Sequence, residues 1–119
     1  YNKTLISFVA PTDSEQRIKT IISDARKFIY LVAYAGITGS GQSEDLTQVI
    51  QNIRKHSTTP IYTGFGVNEK TAKEKVVGVD GVIVGSSFVQ QLLDDSLNYN
   101  EKISKISAIA KEIKEKINE

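Results

Sequence analysis

Pro60-Ile-Tyr-Thr-Gly-Phe-Gly66 decides the fold, because it reads as a short apolar strand that ends in glycine and feeds a helix start. The same arrangement recurs at Phe28–Ala33, which runs into Tyr34-Ala-Gly-Ile-Thr-Gly39, and at Gly81–Val84, which runs into Gly85-Ser86. A strand that ends in glycine and leads into a helix aims backbone N–H groups at one spot, where a phosphate can sit without a basic side chain. In a parallel sheet all three turns fall at the same end. They therefore point to a phosphate-binding face and a small phosphorylated ligand.

Working outward, the apolar period alternates between strand and helix. Leu5 to Val9 is a compact apolar run that Pro11 breaks, and Thr12-Asp-Ser-Glu15 has the Ser/Thr-x-x-Glu form of a capping box. Ile18, Ile21, Ile22 and Ala25 fall at i, i+3, i+4, i+7, which predicts a helix over about 13–26. Phe28 to Ala33 is apolar throughout, as expected of a parallel strand covered on both faces. Helix spacing resumes at Leu46, Val49, Ile50 and Ile53, with Ser43 or Glu44 as the start and His56 near the end, where a protonated imidazole suits the carbonyl end of a helix. His56 is read as a helix-end residue, not a catalytic one.

Further on, Asn68 begins a short helix with Ala72 and Val76 inward, and Gly81 to Val84 is a fourth strand. Phe88, Val89, Leu92 and Leu93 mark the helix after it. Asn100 is placed to cap a last helix, whose Ile103, Ile106, Ala110, Ile113 and Ile117 recur at steps of three and four. With only two heptads and an evenly charged opposite face, one helix docked on the domain is favoured over a coiled coil.

Four successive strand-then-helix units require parallel pairing with right-handed crossovers, in either an open doubly wound sheet or part of a closed barrel. An eight-unit barrel takes about 250 residues. The 119 residues are material for half of one, and strand starts near 5, 28, 61 and 81 match that pace. The expectation is one α/β domain over 1–119, four parallel (β/α) units plus a C-terminal helix.

Composition narrows the function. A hydrophobic share of 39% and a charged share of 24% fit an ordinary soluble globular domain. Fifteen basic and 14 acidic residues, interleaved to a net charge of +1, offer no cationic stripe to a nucleic-acid backbone. The chain has no Cys and a single His, so no metal is expected, and no cofactor is called for. No signal-peptide pattern or long apolar span occurs, so no membrane contact and a cytoplasmic setting are expected. The absence of Met predicts a processed chain or a segment of a longer one.

The chain resembles the alpha subunit of tryptophan synthase, in the C-terminal half of that TIM (β/α)8 barrel. The resemblance is carried by Phe8-Val-Ala-Pro-Thr12, by Phe28-Ile-Tyr-Leu-Val32 running into Gly36-Ile-Thr-Gly39, by Pro60 with Gly64-Phe-Gly-Val67, and by Asp80-Gly-Val-Ile-Val-Gly-Ser86, in order and at family spacing. It implies that Gly39, Gly66, Gly85 and Ser86 hold the phosphate of indole-3-glycerol phosphate. Tyr30 is implied to line the substrate near the reacting glycerol carbon, Phe65 to pack beside the indole, and Thr38 to belong to a loop that closes over the site. Tyr34 departs from the pattern, which commonly has arginine there, so loop anchoring differs.

The implied reaction is retro-aldol cleavage of indole-3-glycerol phosphate to indole and glyceraldehyde 3-phosphate, with a beta subunit as partner. It needs two positioned carboxylates, which the resemblance places on earlier strand ends. Within this chain Asp80 precedes its strand, at the stability end of a barrel, and Asp13, Glu44 and Asp45 read as helix-start charges. No catalytic acid or base is assigned here.

Taken alone, the three glycines also suit ordinary positive-φ turns, Ser86 an N-cap, and Tyr30 and Phe65 core aromatics. Two other functions remain open at this stage. Another sugar-phosphate barrel enzyme, an epimerase or isomerase, would use the same phosphate turns, and a non-catalytic half-barrel would bind phosphate or dimerise.

Overall fold

The computed structural model describes residues 2–33 and 46–119. Four strands, β1 (Ser7–Val9), β2 (Ile29–Val32), β3 (Ile61–Gly64) and β4 (Gly81–Val82), pair in chain order, each pair parallel. Five helices follow the strands: α1 (Glu15–Ile22), α2 (Thr47–His56), α3 (Ala72–Lys75), α4 (Ser86–Leu92) and α5 (Tyr99–Ile117). A doubly wound sheet reverses its strand order to place helices on both faces. Here the order never reverses, so the sheet is an arc of a (β/α) barrel.

The pleat decides which side chains the helices cover. Val9, Ile29, Leu31 and Ile61 face them and close a core with Ile18 and Ile22 of α1 and Val49, Ile50 and Ile53 of α2. Burying each such side chain is worth about 1.5–3 kcal/mol. A second cluster joins Val67, Ala72 and Ile113, with Val82, Val84, Ile109 and Ile117 packed against it, and docks α5 on the last two units. On the opposite face, register sets Phe8, Tyr30, Tyr62 and Gly81 in one transverse row. Neither cluster includes this row, and Phe8 is 57% exposed. The apolar run at Phe28–Ala33 predicted cover on both faces; Ile29, Leu31 and Ala33, on the helix-facing side, are fully buried, while Tyr30 and Val32 are half-buried.

Helix ends depart from the sequence reading where a better cap lay nearby. α1 starts after Ser14, whose hydroxyl accepts from the Arg17 N–H at 3.2 Å, instead of at a Thr12–Glu15 box, and it ends at Ile22. Asp13 instead accepts from the Ala10 N–H at 2.8 Å and pairs with Arg17 at 3.0 Å. α5 is capped by Asn98, not Asn100. Asn98 Oδ1 accepts from the Glu101 N–H at 2.9 Å while Glu101 Oε1 accepts from the Asn98 N–H at 3.2 Å, a reciprocal box that Ile103 could not offer to Asn100. The stripe of α5 runs through Ile109 in place of Ala110, and Ile103 is exposed. In α4, Val89, Leu92 and the following Leu93 are exposed instead of core-facing. The predicted starts of the second helix at Ser43 or Glu44, and Asp45, lie outside the described residues. His56 ends α2, as read, with Nε2 3.3 Å from Glu15 Oε1.

Asp80 ties the N-terminal rim. Its Oδ2 accepts from the Ile61 N–H at 2.9 Å and from Arg54 Nη2 at 2.7 Å, joining the start of β3, the end of α2 and the entry to β4. The Ile61 hydrogen bond first, and then Arg54, hold its carboxyl below the usual carboxylate range. A folded value below the unfolded one adds stability above about pH 4 that is lost as pH falls through the folded value. With the side chain 45% exposed, solvent screening keeps that contribution small. Asp80→Asn is expected to melt below the parent at pH 7, with the gap closing as pH falls from about 4 through the lowered folded value. Thermal melts from pH 7 downward check it, and a gap that does not narrow below about pH 4 would refute it.

Thr63 is fully buried on the helix-facing side, and its Oγ1 has no hydrogen-bond partner among the described residues. An apolar group of the same shape removes that desolvation cost, so Thr63→Val is expected to stabilise the fold by about 1 kcal/mol. Urea unfolding at constant m-value measures it; a destabilised variant would show that the hydroxyl has a partner.

Candidate functional site

Parallel pairing brings the C-terminal ends of β3 and β4 to one rim, and the loops leaving them face each other across a cleft of about 490 Å³. After β3 the backbone turns through Phe65 (φ 75°) and Gly66 (φ 68°), both in the left-handed region. Glycine adopts this freely, whereas a side chain there costs about 1–2 kcal/mol. The next residues brace the turn. Asn68 Oδ1 accepts from the N–H groups of Lys70 (2.8 Å) and Thr71 (3.1 Å), the Asn68 N–H donates to Thr71 Oγ1 (3.0 Å), and the Thr71 hydroxyl donates to the Gly66 carbonyl (2.5 Å). The regular helix α3 begins at Ala72, and the Asn68 carbonyl accepts from the Ala72 N–H at 2.9 Å, so Asn68 opens the turn that leads into it, while Ala72 is buried as predicted.

At the end of β4, Gly85 is the N-cap of α4 and its carbonyl accepts from the Phe88 and Val89 N–H groups at 3.0 and 3.1 Å. Ser86 is the first helical residue, exposed at the cleft, and is not the N-cap. Gly85 has φ −126° and ψ −76°, outside the left-handed region, and a Cβ added there would meet nothing within 4 Å among the described residues. No packing among the described residues demands glycine at this position.

The aromatic wall comes from β2 and the β3 turn. The Tyr30 ring stacks on Phe8 with centroids 4.9 Å apart and meets Phe65 edge-on at 6.4 Å. Its phenol end lies across the backbone of Gly64, where an added Cβ would come within 2.0 Å of the hydroxyl oxygen and 2.2 Å of Cζ. Gly64 is thus required by the Tyr30 ring, a packing reason distinct from a phosphate turn. Gly81 repeats the device more loosely, its Cβ position 3.1 Å from the Tyr62 ring.

Tyr30, Phe65, Gly66, Gly85 and Ser86 therefore line one cleft. Thr38 and Gly39 lie outside the described residues; the Ala33 N–H, which donates to the Gly64 carbonyl at 2.9 Å, leads the chain toward them. Among the described lining residues Glu69 is the one carboxylate and Lys70 the one cation. Neither the Gly66 nor the Val67 N–H has an acceptor among the described residues. An aromatic wall beside free main-chain donors suits a ligand with a flat apolar part and an anionic end. Sequence reasoning missed the brace of Asn68 and Thr71, although Asn-x-x-Thr directly after a glycine turn was a signal for such local bonds.

The sequence profile of the tryptophan synthase alpha chain matches residues 2–118. The tryptophan synthase alpha chain of Wolinella succinogenes is 58% identical over 118 residues, which cover 98% of this chain and 46% of that one. The alpha chain of Synechococcus elongatus is 41% identical over 78% of this chain and 36% of its own length. The solved tryptophan synthase subunit alpha from Campylobacter jejuni superposes with a TM-score of 0.75 at 33% identity, covering 91% of this chain and 44% of that one. The chain thus spans less than half the length of these relatives.

The contact of Tyr30 with Gly64 gives a direct test. Gly64→Ala forces the ring aside and is expected to cost about 1–3 kcal/mol, the range of an overpacked site. In a Tyr30→Ala background the same change should cost almost nothing. Urea denaturation of the four proteins gives the coupling energy, and additive effects would contradict the packing.

Proposed function

The chain belongs to the tryptophan synthase alpha chain family, and from that premise we propose that it forms the phosphate-gripping part of a lyase of tryptophan biosynthesis. The substrate is indole-3-glycerol phosphate, cleaved by a retro-aldol step to indole and glyceraldehyde 3-phosphate. The bond between the indole ring carbon and the glycerol carbon breaks, the ring carbon gains a proton, and a glycerol hydroxyl loses one. Two carboxylates suit these transfers, and they come from the part of the subunit that this chain does not span. The beta subunit is the partner that takes the indole.

In this reading main-chain donors at Gly66, Gly85 and Ser86 hold the phosphate, with Gly39 joining them from the loop that carries Thr38. Tyr30 stands beside the reacting carbon and Phe65 beside the indole. The observation that carries the proposal is Gly85: its φ is not left-handed and no described residue crowds its Cβ position, yet it opens directly on the cleft that Gly66 and Ser86 share. A ligand that must approach the backbone closely explains that bareness.

Gly66→Val tests the assignment in the complete subunit assayed with the beta subunit for indole release. A branched side chain at φ 68° both strains the turn and occupies the space where backbone meets phosphate. Each charge-assisted hydrogen bond lost is worth about 1.5–3 kcal/mol, so KM should rise by about 10- to 100-fold. Circular dichroism reports whether the fold survives. A folded variant with unchanged affinity for sn-glycerol 3-phosphate would remove Gly66 from the site.

A further inference from the structure

We propose that Thr71 is the positioning residue of the phosphate cleft, its hydroxyl orienting the Gly66–Val67 peptide so that the Val67 N–H serves as an additional donor to the bound anion. The inference rests on the functional reading above and assigns a part of the site that the glycine pattern did not contain.

The geometry begins with the bond from Thr71 Oγ1 to the Gly66 carbonyl, at 2.5 Å the shortest of the contacts that brace the loop. Because there is no cis peptide in the described chain, a carbonyl held in one direction turns the N–H of the same peptide the opposite way. That N–H belongs to Val67, which lines the cleft, and it has no acceptor among the described residues. The Val67 side chain is buried in the second hydrophobic cluster, so the residue is anchored by packing on one side and by the carbonyl on the other. Thr71 is itself fixed, since its Oγ1 accepts from the Asn68 N–H at 3.0 Å and its own N–H reaches Asn68 Oδ1 at 3.1 Å.

The strain in the turn explains why a brace is needed. Phe65 and Gly66 are consecutive left-handed residues, and a conformation that costs free energy persists only where its neighbours over-determine it. Without the hydroxyl the Gly66–Val67 peptide is free to rotate, and the anion then bears the cost of ordering it.

The test titrates sn-glycerol 3-phosphate, with inorganic phosphate in parallel, into the complete subunit, its Thr71→Val variant and its Thr71→Ser variant. Thr71→Val should bind about 5-fold more weakly, the size of one ordinary hydrogen bond, and Thr71→Ser like the parent. In the indole-release assay Thr71→Val should raise KM by a similar factor with kcat within about twofold, because the interaction is shared by ground and transition states. Equal affinities for the parent and Thr71→Val would overturn the inference and leave the functional reading standing. Weak binding by Thr71→Ser would also overturn it, since that variant keeps the hydroxyl and reports even where Thr71→Val does not fold. A parent that binds neither probe overturns the functional reading, and this inference with it.

Discussion

Parallel strands cannot be joined by tight turns, so every return of the chain must travel outside the sheet. In this protein that constraint sorts the whole molecule. The strands pair in chain order, the helices pack on the side of Val9, Ile29, Leu31 and Ile61, and all C-terminal strand ends meet at one rim. The two rims then do different work. At the N-terminal rim Asp80 holds Arg54 and the Ile61 N–H, a structural clip. At the C-terminal rim, the turns after β3 and β4 line a shared cleft.

The cleft exists because glycines serve three separate ends along a short stretch. Gly64 lets the Tyr30 ring lie on the backbone of the next strand, Gly66 accepts a left-handed turn, and Gly85 leaves open space. Phe65 is the exception, a bulky residue held at positive φ. Its strain is offset by the bonds of Asn68 and Thr71 and by edge-on contact with Tyr30, which places its ring 60% exposed beside the cleft.

The sheet's other face gives the molecule its second character. Phe8, Tyr30 and Tyr62 form a row that neither hydrophobic cluster covers, and among the described residues β1 and β4 each pair on one side. In a closed eight-stranded barrel the inward residues of each strand interlock in layers. The chain's coverage of less than half of its relatives' length accords with an arc of such a barrel.

From sequence alone the number and order of the units, their parallel pairing and the glycine turns after β3 and β4 could be read, because strand and helix periods and glycine punctuation are local properties that survive without knowledge of neighbours. The family likewise showed in short motifs at fixed spacing. Caps were less legible: Thr12 and Asn100 were plausible, but Ser14 and Asn98 won, the latter because Glu101 could reach back to it. Exposure of Val89, Leu92 and Leu93 could not be read from spacing, since an apolar stripe does not say what lies opposite it. Only the tertiary structure separated the packing duty of Gly64 from the open space at Gly85, and only it brought Thr71 to the Gly66 carbonyl. Those assignments depend on distances between groups that the chain brings together by folding, and no local period encodes them.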